Sequence, residues 1–383
     1  MRSERLFNIL SEIDSELLED VENITRKKHT LPLRTFATAA SLFLLLGIGS
    51  YIYSNQPDPS LPKLEVSFYE NGGMGVSGYW AYDIRELVNN NPWTEDCELT
   101  HLPVFRNRHP VDGAGTLVEF DWEFMDAALT KVAGCLGIED INITHSTEKI
   151  SQYLPVHAQV DGMEFKMYHP TDVEVFLDPA WEIPEKYRIT DYSSTYEETY
   201  ALAEYVLTAF PELIPMENPA IDVWGGDYGS NGTENWQHHY IAFYEMTDDE
   251  TQNILNYNFN RTRFTFNSEG NLSIYRVGES DLRDIIGYYP IISADEAQNL
   301  LCRGYYGTNA PEDFRGEKYI ARRELVYRTD IMQNIYVPYY VFYVELPEEY
   351  NRNGLKDYGL YYVPAVESKY IKDFTEVWNI CFQ

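Results

Sequence analysis

The run YVPYYVFYV at residues 336–344 decides how the rest of the chain is read. Valine, tyrosine and phenylalanine suit a pleated, packed surface better than a helix. Pro338 has no N–H to offer a ladder, so it marks an edge strand or a strand start. The run therefore predicts sheet. Outward from it, 324–327 and 359–364 read as neighbouring strands, with the central one extending over 336–346. Ahead of them Ser293 and Glu296 form a capping box that starts a helix through about Arg303. Helix, then small antiparallel sheet, is the plan of residues 291–383.

The same plan recurs upstream. In 186–290, Ser194 with Glu197 and Thr247 with Glu250 form capping boxes for helices ending near Phe210 and Leu255. Strands are expected at 221–224, 239–244, 261–266 and 272–275, the last two joined by a turn over 267–271. In 64–185, 64–69 and 116–120 read as strands, with a glycine-rich loop at 72–78 between them. Asp121 N-caps a helix over 122–136, whose Phe124, Ala128, Leu129, Val132 and Leu136 make a buried stripe. Val156–Val160, 163–168 and 173–177 alternate as strands, with Asp161-Gly162 as the first tight turn. This is an α+β pattern rather than alternating βαβ.

Residues 36–53, FATAASLFLLLGIGSYIY, carry no charge. As a helix they would span about 27 Å, near the thickness of a bilayer's hydrocarbon core. Arg26, Lys27, Lys28 and Arg34 precede them. The expectation is a transmembrane helix over 35–53, contacting membrane lipid, with 1–34 cytoplasmic and the C-terminal region extracellular. No A-x-A site follows cleanly, so the segment reads as a retained anchor. Residues 54–63, with three prolines, read as a stiff spacer. Leu6, Leu10, Ile13, Leu17 and Val21 recur at helical spacing and predict an amphipathic helix able to dock on a protein partner. The fold class expected is α+β: a single N-terminal transmembrane helix followed by two or three helix-plus-antiparallel-sheet modules, at 64–185, 186–290 and 291–383.

Acids outnumber bases 61 to 29, for a net charge of −32. Residues 1–34 hold seven acids and six bases, so 54–383 carry −31 of it. Such a surface repels nucleic acid, and no nucleic-acid partner is expected. Aromatic residues make up 15% of the chain, with 32 tyrosines, which supplies material for packed cores and excludes a disordered acidic tail. Cys97, Cys135, Cys302 and Cys381 form no CxxC, and both disulfides and free thiols are open to them.

His238-His239 invites a metal reading, but neighbours on a strand point to opposite faces and cannot share an ion. Asp227, Asn231 and Gly232 fit a calcium loop in part. Position 3 is Gly229 and position 12 is His238, where acids are needed, so a turn is the better account. No Ser/His/Asp or Cys/His spacing stands out. No catalytic, cofactor-binding or metal-ligating residue is assigned, and no cofactor is expected. Tyr305-Tyr306, Tyr339-Tyr340, Tyr343 and Tyr361-Tyr362 suit sheet packing. Gathered on a surface they would instead suit a wall, sugar or peptide ligand.

The segment Ile292-Ser293-Ala294-Asp295-Glu296-Ala297, leading into a helix and then a sheet, resembles PepSY-type modules. The hairpin through Phe264-Thr265-Phe266 and Gly270-Asn271-Leu272 resembles their closing strands. The whole plan resembles the YycH/YycI-type proteins of Gram-positive bacteria, and residues 3–20 resemble leaders of membrane anti-sigma-type proteins. The resemblance implies an extracytoplasmic regulatory or interaction role, without catalysis, acting on a membrane signalling partner. Cell-wall or carbohydrate binding is the alternative.

Overall fold

The structure, a computed structural model, describes residues 60–372 apart from 67–77, 112–116, 118, 147–155, 191–192, 309 and 331, together with 378–379. The strands are β1 (Gly78–Ala81), β2 (His101–Arg106), β3 (Thr144–His145), β4 (Val156–Val160), β5 (Met163–Met167) and β6 (Asp172–Trp181). There follow β7 (Pro219–Ser230), β8 (Asn235–Glu245), β9 (Thr262–Phe266), β10 (Leu272–Gly278), β11 (Ile285–Pro290) and β12 (Gly307–Thr308). The last are β13 (Ile320–Tyr327), β14 (Ile335–Tyr336), β15 (Pro338–Glu345), β16 (Lys356–Pro364) and β17 (Trp378–Asn379). The α-helices are α1 (Trp122–Cys135), α2 (Tyr196–Ala209), α3 (Glu250–Phe259) and α4 (Ala294–Cys302).

An eight-stranded sheet runs β3-β4-β5-β6-β10-β9-β8-β7. A six-stranded sheet runs β13-β15-β16-β12-β17, with β1 also paired to β16, and a three-stranded sheet runs β11-β2-β14. Apart from β12 with β17, these pairings are antiparallel. Helices α1 and α2 cover the eight-stranded sheet: Met125, Leu129, Leu202 and Val206 pack with Phe165, Phe243 and Phe264. Helices α3 and α4 bring Ile254, Phe259, Ala297 and Leu301 onto the six-stranded sheet.

Strand β15 explains the run that opened the reading. Tyr340, Phe342 and Val344 join the core under α3 and α4, while Val341 and Tyr343 enter a second core on the opposite face. Burial on both faces is why the segment is continuously apolar instead of alternating. β15 is central, between β13 and β16, and Pro338 is its first residue.

Local signals held where they are short-range. Asp121 caps α1, accepting from Phe124 N. Ser293 and Glu296 form the capping box of α4. Asp161 and Gly162, both at positive φ, turn β4 into β5. The box opening α2 is Thr195 with Glu198, one residue later than expected. Ser194 is buried and its hydroxyl accepts from Thr199. At α3 the cap is Asp249, because Thr247 is tied to Asn253 instead.

Two expectations are corrected. Among the described residues, no helix is long and apolar enough to cross a membrane. The longest, α1 and α2, have 14 residues, about 21 Å against the ~30 Å of a hydrocarbon core. The single-pass, transmembrane description is therefore not supported by any described element. Segment 35–53 lies outside the described residues, as do the stripe Leu6–Val21 (6–21) and Cys381. Second, the fold is mostly antiparallel sheet, not a row of small helix-plus-sheet modules. The β6–β10 pairing draws strands from both sides of residue 185 into one sheet. Likewise β1 pairs β16, and β2 pairs β11. Pairing between distant segments leaves no local trace in sequence, so a reading by consecutive units divides what the ladder joins.

Candidate ligand-binding cavity

The eight-stranded and six-stranded sheets meet along a strap formed by residues 83–91. It begins with a one-turn helix, Ile84–Glu86, capped by Asp83 and Glu86. Val88 pairs with Gly225 of β7 through two backbone hydrogen bonds, of 2.9 and 3.0 Å. Three consecutive asparagines then stitch the sheets together. Asn89 Nδ2 donates to Glu324 of β13 at 3.0 Å, and Asn91 Nδ2 donates to Leu325 O. Asn90 donates its N–H to Asp222 and its Nδ2 to Ile221 O of β7. The edges β7 and β13, which would otherwise be open to a foreign strand, are both engaged.

Beside this strap lies a cavity of about 250 Å³, lined from both sheets. Its aromatic wall includes Tyr79, Trp224, Tyr257 and Tyr343. Tyr79 stacks on Tyr343, with ring centroids 6.0 Å apart. Trp224 stacks on Tyr240 at 4.5 Å, directly across the β7–β8 ladder, and Tyr240 is 43% exposed. Two guanidinium groups are pressed against these rings. Arg261 lies 4.8 Å from the Tyr257 centroid and 5.8 Å from that of Trp224, and Arg322 lies 5.4 Å from Tyr343. Such stacking fixes a side chain that is otherwise rich in rotamers.

Each arginine is also paired. Arg261 Nη1 donates to Asp222 at 2.9 Å, and Asp222 is 0% exposed. Burial pushes the Asp222 carboxyl up, opposed by Arg261 and by the Asn90 N–H. Arg322 pairs with buried Glu324 and donates Nη1 to Leu87 O at 2.6 Å. Glu324 also receives Asn89 and, at 3.4 Å, the Tyr343 hydroxyl. Burial, with the charges of Asp227 and Glu324, pushes the Tyr79 phenol up, and burial does the same for Tyr257 and Tyr343. These phenols stay neutral at physiological pH and act as walls, not bases.

Of the residues weighed from sequence, Tyr343 and Tyr362 line this cavity, and the histidines and Asp227 lie outside its lining. His238 stacks near Tyr240, whereas His239 Nδ1 meets Ser194 O at 2.7 Å on the other face. The two imidazoles therefore diverge, as strand geometry requires. Asp227 lies within β7 instead of a loop; burial pushes its carboxyl up, and the adjacent histidines oppose this. Tyr339, Tyr340, Tyr343 and Tyr361 are buried sheet residues. Cys97, Cys135 and Cys302 are free thiols. Sequence reasoning missed Asn89–Asn91 (89–91) and Arg261. The asparagine triplet was a visible signal, since three consecutive amides seldom serve a helix or strand interior.

Two other clusters are less suited to a ligand. A cavity of about 550 Å³ beside α4 holds Glu95, Asp295, Glu296 and Glu367. Their charges are engaged by Arg323, by the Ser293 cap and by Lys369. His109, Asp121 and Asp281 bring potential metal-ligand atoms within 4.8 Å of one another. Two guanidinium groups already occupy that place: Arg108 Nε at 2.9 Å and Arg283 Nη2 at 2.7 Å from Asp281. A metal ion there would add positive charge to positive charge.

This ion network has a pH consequence. Burial alone would raise the Asp281 carboxyl, but Arg283 and Arg108 more than offset it and hold it at about 2. The unfolded value is about 3.9, so the stabilisation is complete above about pH 4 and is lost as pH falls toward 2. Urea midpoints of wild type and Asp281→Asn should converge as pH drops through that window. A gap that stays constant with pH would count against the network.

No protein-family profile matches the chain, and no curated relative does. Among solved structures it is similar to an uncharacterized protein from Eubacterium rectale ATCC 33656, at 12% identity and a TM-score of 0.31, over 73% of this chain and 86% of that one. A likeness of that size carries no argument about function.

Proposed function

We propose that the chain is a non-catalytic recognition protein whose ligand sits in the cavity between the two large sheets. The observation that supports this reading is Arg261. Its guanidinium is held between two aromatic rings, anchored by one bond to Asp222, and lines an open cavity. Clefts with mostly aromatic walls and a few oriented polar groups are the usual form of small-ligand sites. The strap that borders the cavity also bonds to both sheets, so occupancy would be felt as added stiffness between them. That coupling suits a regulatory or interaction role.

The test is thermal unfolding of the full chain against a broad panel of sugars, amino acids, dipeptides and nucleosides. A ligand at a hundred times its dissociation constant stabilises by about 2.7 kcal/mol, a shift of several degrees or less for a domain of this size. Thr329→Trp, placing an indole in the cavity wall, should abolish the shift. Absence of any shift across the panel would reject the reading.

A further inference from the structure

We infer that the ligand carries a carboxylate, received by the free edge of Arg261; this rests on the recognition reading above. A guanidinium has five N–H donors in a rigid fork. Asp222 takes one of them, on Nη1. Among the described residues no protein acceptor meets Nε or Nη2, and neither nitrogen is sealed from solvent. That leaves intact the Nε–Nη2 edge, which matches the two oxygens of a carboxylate.

The carboxylate and side-chain amide acceptors of the wall are already used. Both oxygens of Glu324 receive donors, from Asn89, Arg322 and Tyr343. Asn89 Oδ1 receives the Asn91 N–H, and Asn258 Oδ1 receives the Tyr327 N–H. The cavity thus offers donors and asks for acceptors. Asp222 cannot turn away to leave Arg261 bare, because it also holds the Asn90 N–H at 2.9 Å. The net charge of −32 does not exclude a single carboxylate. Distant charges are screened over about 8 Å at physiological salt, whereas the fork acts at contact.

Two small-molecule sources present this group beside a ring or short chain: a sugar acid and the C-terminus of a peptide. Calorimetric titration of the full chain separates them. The probes are glucuronate and galacturonate against glucose and galactose, and alanyl-alanine against alanyl-alaninamide. The expected result is binding of one acid class, at least tenfold tighter than its counterpart without the carboxylate. Arg261→Lys keeps a positive charge against Asp222 but loses the fork, and should reduce that preference about ten- to a hundredfold. Acids and neutral analogues binding equally would overturn the carboxylate inference and leave the recognition reading standing. No binding by any of these probes would also overturn it, while the recognition reading falls separately, on the broader thermal panel.

Discussion

Asp222→Ala should destabilise the protein by about 3–5 kcal/mol, read as a lowered urea midpoint with an unchanged slope. Three consequences combine. Arg261 is left as a partly buried charge without its counter-ion. The Asn90 N–H loses its acceptor. The strap loses one of its ties to the eight-stranded sheet. Breaking one side of a buried pair is far more damaging than replacing both sides, because the surviving charge keeps its desolvation penalty. Asp222→Asn retains an acceptor for Asn90 and should lose less. Removing Arg261 instead leaves a buried carboxyl already pushed up by burial, with its main opposing cation gone. A raised carboxyl is penalised when ionised, so Arg261→Ala should be least harmful in acid and worsen as pH rises. A pH-independent loss for Arg261→Ala, or a loss under about 1 kcal/mol for Asp222→Ala, would show that the pair contributes little to stability.

Gly226→Ala should cost about 2–5 kcal/mol, the sum of a left-handed backbone at ~1–2 and a steric displacement at ~1–3. Gly226 has φ of 88°, and a Cβ there would lie 1.8 Å from the carbonyl oxygen of Glu86. That oxygen is backbone in the strap and cannot rotate away. Relief requires lifting the strap from β7 and opening the Val88–Gly225 pairing. Gly316 is the control: its φ is 114°, and a Cβ would meet nothing within 4 Å. Gly316→Ala should cost only the backbone part, about 1–3 kcal/mol for an extended positive-φ conformation that only glycine adopts readily. Hydrogen exchange separates the two, with faster exchange at the Val88 and Gly225 amides expected in Gly226→Ala alone. Equal losses in both variants would mean that close packing of the strap contributes nothing.

The same two positions show why the cavity was not visible beforehand. Gly225-Gly226 and Asn89-Asn90-Asn91 look like two unrelated loops in sequence, 134 residues apart at their nearest. Glycines in a strand do announce a close approach, but not what approaches. For the β7–β8 hairpin the sequence predicts only two short strands, 221–224 and 239–244. It runs over Pro219–Ser230 and Asn235–Glu245, because the glycine irregularity interrupts the alternation without ending the ladder. Arg261 reads locally as one more charged residue before a strand. Its meaning comes from Asp222 and Trp224 of β7 and from Tyr257 of α3, which two different elements deliver.

What the sequence determined by itself is the short-range part. Asp121 and Ser293 set helix starts, Asp161-Gly162 sets a turn, and His238 and His239, as strand neighbours, point to opposite faces, each through geometry within a few residues. The run at 336–344 correctly announced a strand, because aromatic and β-branched residues favour sheet wherever they are placed. Its interior position, between β13 and β16 of a six-stranded sheet, was decided only by tertiary structure. So were the union of strands across residue 185 and the cavity beneath the strap. Antiparallel pairing depends on backbone groups that every residue shares, so which strands meet is settled by how the whole surface is buried, not by any one segment.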